Sequence, residues 1–203
     1  MKYNIFIITI TLLPSLLIAQ EKGTLILNID SSRVQVEKYW QYHAIDSCNQ
    51  EMLCLTDSGW LSIPSDISIT TAQKVGWQNI GWFYIKISFN DTTLVNRPLG
   101  LQLIQAGASD IYINERYINS IGRVGCSSEE EKHAFTRRPM AITFSKKNNI
   151  LAIKYSNHRW HEINNKNSLA GFSLYLNRLQ PETLKWAKDI KKLTKNIYGT
   201  AAR

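Results

Sequence analysis

Cysteine is scarce in this chain: 203 residues carry three, Cys48, Cys54 and Cys126. Their spacing is not that of a zinc site, which needs clustered ligands. An odd number also leaves one thiol unpaired whichever bond forms within the chain. A loop bridges Cys48 and Cys54 easily in an oxidising compartment, and free buried thiols are an equal alternative; the sequence leaves the connectivity open. A phosphate-cradling loop is missing too, since Gly122-Arg-Val-Gly125 lacks the lysine and following helix of such sites. Paired catalytic carboxylates are missing as well. Glu129, Glu130 and Glu131 are adjacent and diverge, whereas a glycosidase pair must converge on one bond. No enzyme activity and no cofactor are expected of the chain.

Long apolar runs are absent except at the amino terminus. Lys2 precedes an apolar stretch from Ile5 to Ala19, interrupted by Pro14 and ended by Gln20-Glu21. A membrane-spanning helix needs about 20 apolar residues, so this run reads as a signal peptide over residues 1–19. An exported protein of the periplasm or cell surface is the expectation, including as part of a membrane-anchored protein. Lysine and arginine total 24 against 16 acidic residues, a formal charge of +8. Export argues against nucleic acid as the partner, and five of the lysines sit in one carboxy-terminal segment. The basic balance reads as a solvated face near anionic envelope surfaces.

After signal removal, about 180 residues suit a single domain. Within it, Thr24-Leu-Ile-Leu opens an alternating strand, Val34-Gln-Val36 follows, and Lys38-Tyr-Trp-Gln-Tyr42 alternates again with Tyr39 or Trp40 toward a core. Residues 44–78 are the least regular. The most informative stretch runs from Gly81 to Gly122. It reads as three successive strands, the last two joined by a Gly-Ala-Ser bend and a tight turn at Asn114-Glu115. Phe83, Ile85, Ile87 and Phe89 alternate with Trp82, Tyr84, Lys86 and Ser88, which places the Phe and Ile set on a buried face. Asn114-Glu115 lacks the glycine that most easily takes a positive φ, so a longer turn or another type is expected there. Strands at residues 139–144, 150–157 and 171–176 complete the pattern.

Taken in order, Asp57-Ser-Gly-Trp60, the strand at residues 81–89, the Ala108–Gly122 hairpin and Leu151-Ala-Ile-Lys-Tyr155 resemble the sugar-binding β-sandwich of family 2 glycoside hydrolases. They also resemble the extracytoplasmic sensor domains of bacterial membrane signalling proteins. The resemblance spans residues 38–178. It implies an all-β, jelly-roll or galactose-binding-like sandwich over residues 20–180. It further implies a binding or sensing module with a carbohydrate or small molecule as ligand. The leading expectation is the sensor part of a signal-transduction protein. An accessory carbohydrate-binding module of a secreted glycosidase, and an envelope protein-interaction module, are the alternatives.

Sugar recognition asks for aromatic faces beside planar polar groups. Trp60, Trp77, Trp160, His158, His161 and Arg123 are the loop residues of those types, with the core as the competing place for each aromatic. His158 and His161 are too few to ligate a metal. Beyond Pro181, Trp186, Ile190, Leu193 and Ile197 recur at steps of four, three and four with lysines opposite. This seam predicts an amphipathic helix over residues 181–203 that packs on the sandwich, self-associates as a stalk, or lies near a membrane.

Overall fold

A computed structural model of the chain describes residues 24–27, 33–45, 59–162 and 170–179. The stretch read as a signal peptide, the helix expected over residues 181–203 with its Trp186, Ile190, Leu193 and Ile197 seam, and Cys48 and Cys54 lie outside them. The strands are β1 (Thr24–Leu27), β2 (Val34–Val36), β3 (Trp40–Ala44), β4 (Leu61–Ile63), β5 (Ile80–Phe89) and β6 (Pro98–Gln105). They continue with β7 (Ala108–Ile113), β8 (Arg116–Ile121), β9 (Met140–Thr143), β10 (Asn148–Ser156) and β11 (Phe172–Arg178), and a helix α1 (Ile69–Val75) precedes β5.

Two sheets face each other as an all-β sandwich. The larger has the order β4-β3-β5-β10-β7-β8, with β1 also on β5; the smaller runs β2-β11-β6-β9. β5 is the spine of the first. Its residues 81–84 pair antiparallel with β3, and its residues 86–89 pair parallel with β1 along the same edge. Its other edge pairs along most of its length with β10. Such a strand is buried on both edges, and its period-two pattern assigns its two faces.

The inner face carries Phe83, Ile85, Ile87 and Phe89 as the alternation predicts, and they join Leu101, Leu103, Phe172, Leu174 and Leu176 of the facing sheet in one core. Phe172 meets the edges of Trp40, Phe83 and Tyr155 at centroid distances of 5.3, 5.1 and 5.3 Å. Edge-to-face pairs of this kind contribute about 0.5–1.5 kcal/mol beyond area burial. Trp40, not Tyr39, turns inward, and its Nε1 donates to the Val36 carbonyl at 3.0 Å. Tyr39 is exposed and takes a φ of 73°.

Two expectations for this stretch need correction. The stretch 81–122 contains four strands, because the bend at Gly107 carries the chain from β6 in one sheet to β7 in the other. A Cβ at Gly107 would sit 1.9 Å from the Ser156 carbonyl oxygen, so this crossing takes only glycine. The Asn114-Glu115 turn is two residues long after all. Ile113 pairs with Arg116, and Asn114 and Glu115 take φ of 50° and 67°, the positive pair that a type I′ turn requires. Asn114 tolerates this conformation and is tied on both sides: its Oδ1 accepts from Ile150 N and its Nδ2 donates to Asn149 Oδ1, both at 2.9 Å.

The irregular region before β5 contains α1. Ser68 caps its start, accepting from Thr71 N at 3.1 Å, and Gly76 ends it in the left-handed conformation. The third cysteine is no free thiol: Cys126 is disulfide-bonded, and its partner lies outside the described residues.

Candidate functional site

The second face of β5 is where the structure departs from a simple sandwich. Trp82 and Tyr84 alternate out of the core, yet only 4% and 6% of their surfaces are exposed. They form a separate cluster with Ile45, Ile80 and Ala152, against which Trp60, Tyr112, Val124 and Ile150 pack. The register turns this face into lateral rows. His43 on β3, Trp82 on β5, Lys154 on β10, Asp110 on β7 and Ser120 on β8 are successive cross-strand partners. The neighbouring row reads Gln41, Tyr84, Ala152, Tyr112 and Tyr117. Five strands from distant parts of the chain thus set aromatic and planar polar side chains side by side.

Ring contacts run along these rows. Trp60 stands edge-on to Tyr84 at 4.6 Å and to His43 at 5.5 Å. Trp82 lies 5.2 Å from Tyr112, which meets Tyr117 at 5.6 Å. Tyr117 closes the series at the β8 edge with 54% of its surface exposed. Its hydroxyl is 2.8 Å from Ser120 Oγ, and Ser120 in turn donates to Asp110 Oδ1. Lys154 is 8% exposed, with its Nζ 5.4 Å from the Trp82 ring centroid. An ammonium held over an indole is favoured by the ring's quadrupole. Burial pulls the Lys154 pKa below the ordinary lysine value, and the Asp110 carboxylate beside it opposes that shift. Burial also raises the Tyr84 and Tyr112 hydroxyl pKa values, with Asp110 adding to the rise at Tyr112. Both tyrosines are therefore neutral hydrogen-bonding groups across the physiological range.

The six residues singled out from the sequence fall in three places. Trp60 is on the outer face, as above. Trp77 is in the core, 6% exposed, with its ring 5.4 Å from Tyr42 and 5.9 Å from both Phe83 and Tyr155. Of the other four, Arg123 and His158 brace the loop after β8, and Trp160 and His161 follow His158 in the chain. Arg123 Nε donates to the Glu130 carbonyl at 2.9 Å, and its backbone bridges to Lys132. His158 donates its backbone N–H to Glu131 Oε2 at 3.3 Å and places Nε2 2.8 Å from the Gly125 carbonyl. Trp160 Nε1 donates to Asn79 Oδ1 at 2.7 Å, and His161 lies edge-on to Trp160 at 6.2 Å.

Arg123 Nε and His158 Nε2 are thus engaged with the loop after β8, while the Arg123 and His161 side chains are exposed. Loop location drew attention to these residues, whereas the strand residues Trp82, Tyr84, Tyr112, Tyr117 and Lys154 escaped notice. The signal that marks them is the aromatic and polar set opposite the Phe and Ile set in β5, read together with the strand order. Among the described residues, no group of three His, Cys, Asp or Glu side chains is placed to hold a metal.

No family model matches the sequence, and no curated protein matches it. Several solved glycoside hydrolases are similar to the chain. A β-glucuronidase from Ruminococcus gnavus is 13% identical with a TM-score of 0.44, the match covering 73% of this chain and 30% of that one. A GH2 β-galacturonidase from Eisenbergiella tayi is 11% identical with a TM-score of 0.44, covering 76% and 26%. A GH2 member from Bacteroides cellulosilyticus is 14% identical with a TM-score of 0.41, covering 72% and 20%. The chain spans less than a third of the length of each of these proteins.

Proposed function

We propose that this chain is an exported, non-catalytic binding module that holds carbohydrate on the outer face of its larger sheet. The observation that carries the reading is the pair of rows through β3, β5, β10, β7 and β8. They interleave the accessible Trp60, Tyr112 and Tyr117 with Gln41, His43, Asp110 and Ser120, above a buried floor of Trp82, Tyr84 and Lys154. A sugar ring offers C–H groups on its faces and hydroxyls around its rim. Aromatic side chains cover the first and amides, carboxylates and ammonium groups pair with the second. The disulfide at Cys126 supports an oxidising compartment, which agrees with a cleaved leader.

Affinity electrophoresis through gels that contain soluble plant and microbial polysaccharides tests this reading. Retardation by at least one polysaccharide is the expected result, and unaltered migration in all of them overturns it. Immunoblots of periplasmic, membrane and culture fractions test export; a band confined to the cytosol contradicts it.

The sensing role and the accessory-module role share this face and part company at the carboxy-terminal seam. A sensor passes ligand binding through Ile190 and Leu193, so replacing both with Ser abolishes signalling or self-association while binding persists. In an accessory module the same change does little.

A further inference from the structure

The edge strand β8 departs from regular pairing with β7. Asp110 faces Ser120 and Ile111 faces Asn119, but Tyr112 faces Tyr117, so Ile118 is an extra residue on β8. In a regular strand, residues three apart point to opposite faces. The bulge removes that offset and puts Tyr117 and Ser120 on the same outer face, where the Tyr117 hydroxyl lies 2.8 Å from Ser120 Oγ. Ser120 in turn donates to Asp110 Oδ1.

This chain of three groups has one direction. A carboxylate only accepts, and a serine hydroxyl has a single proton. With that proton on the bond to Asp110, the proton between Ser120 and Tyr117 must come from Tyr117. What Tyr117 Oη and the Asp110 carboxylate still offer is lone pairs. Tyr117 is exposed and Asp110 and Ser120 are half-exposed, so these acceptors stand at the open end of the rows. Lys154, the cross-strand neighbour of Asp110 on β10, is buried in the floor.

We propose that this end of the outer face is an acceptor-only subsite that selects a sugar presenting a proton donor, an amino sugar with its amine protonated, over one presenting a carboxylate. The inference rests on the carbohydrate reading of the outer face and gives it a ligand class. An ammonium has three donors and no acceptor, the complement of Tyr117 Oη and the Asp110 carboxylate. The Tyr117 ring, 5.6 Å from Tyr112, adds a π surface that favours a cation. A uronate carboxylate sets lone pairs against lone pairs. The chain as a whole carries a formal +8, which by itself draws the acid, so a preference for the amine reports the local relay. Asp110 acts through Ser120 as a positioning residue that fixes where the protons lie.

Isothermal titration of the mature full chain with a β-1,4-glucosamine tetramer and with tetragalacturonate, at a pH where the amines are protonated, tests the proposal, with cellotetraose as the neutral comparison. The glucosamine tetramer is expected to bind about tenfold more tightly than tetragalacturonate, the scale of one hydrogen bond to a charged group. Ser120→Ala frees the Tyr117 proton without a change of charge, and Tyr117→Phe keeps the ring but removes the acceptor. Each should lower that ratio about threefold or more. Asp110→Asn, whose amide donates to Ser120, reverses the relay and should lower it further. Equal or tighter binding of tetragalacturonate, or a ratio left unchanged by Ser120→Ala or by Tyr117→Phe, overturns the proposal and leaves the outer-face reading standing. Binding of none of the three oligosaccharides overturns both.

Discussion

On one side of β5, Phe83, Ile85, Ile87 and Phe89 are at most 1% exposed and belong to the core between the sheets. On the other side, Trp82 and Tyr84 are buried while Lys86 and Ser88 are half-exposed, so the outer face grades from aromatic to polar along one strand. The inner face is uniform because its only task is to exclude water from both sheets. A face that is half aromatic and half polar is a poor design for that task. It matches instead what is needed to hold something that is itself partly apolar and partly hydroxylated. On the proposed reading the two faces divide stability from binding, and mutations separate them in turn.

The largest expected effect lies inside. Phe83 contacts Tyr42, Trp77, Tyr155 and Phe172 with ring centroids 5.0 to 6.3 Å away. Phe83→Ala removes the ring from a place with no means to refill, and destabilisation of about 3–5 kcal/mol is expected in urea titrations. Next comes Cys126→Ser, close to Val124 of the outer cluster. Loss of the disulfide costs about 2–4 kcal/mol, and wild-type protein treated with reductant should match the variant in thermal melts. Trp60→Ala, by contrast, touches the fold from its edge. Its melt should shift by no more than about 1 kcal/mol, while polysaccharide retardation disappears.

The smallest effect is a dependence on pH. Lys154 has a folded-state pKa below its unfolded value, so between the two the unfolded chain holds a proton that the folded chain has released. Stability from this group therefore rises as pH climbs through the folded pKa toward the ordinary lysine value. Tyr42 and Tyr155 act in the opposite sense. Burial raises both, so alkaline pH above the ordinary tyrosine range favours unfolding. In Lys154→Met the tyrosine contribution persists and the lysine contribution is gone. The stability of wild type relative to this variant is thus expected to increase with pH on the alkaline side, and a flat difference curve would contradict the placement of Lys154.

The inner face was legible in the sequence because the period of two needs no knowledge of partners. The outer face was not. Trp82 and Tyr84 share an alternation with Lys86 and Ser88, and that pattern by itself reads as a solvent-facing side. Their neighbours on β10, β7 and β8 come from 28 to 72 residues farther along, and the rows exist only once β10 is known to separate β5 from β7. Helix α1 escaped for a local reason: Ile69, Thr70 and Thr71 are β-branched and read as strand or loop, while its Ser68 and Gly76 caps were present to be read. For Trp77 the sequence left loop and core as alternatives, and α1 and the turn after it set the ring in the core against Tyr42, Phe83 and Tyr155.

The most direct test of the outer-face account is a glycan microarray probed with the wild-type chain and with the double variant Trp60→Ala, Tyr117→Ala, after thermal melts show that both are folded. The account predicts defined glycan signals for the wild type and their loss in the variant. An array on which no glycan retains the wild type, or on which both proteins give the same signals, would contradict it.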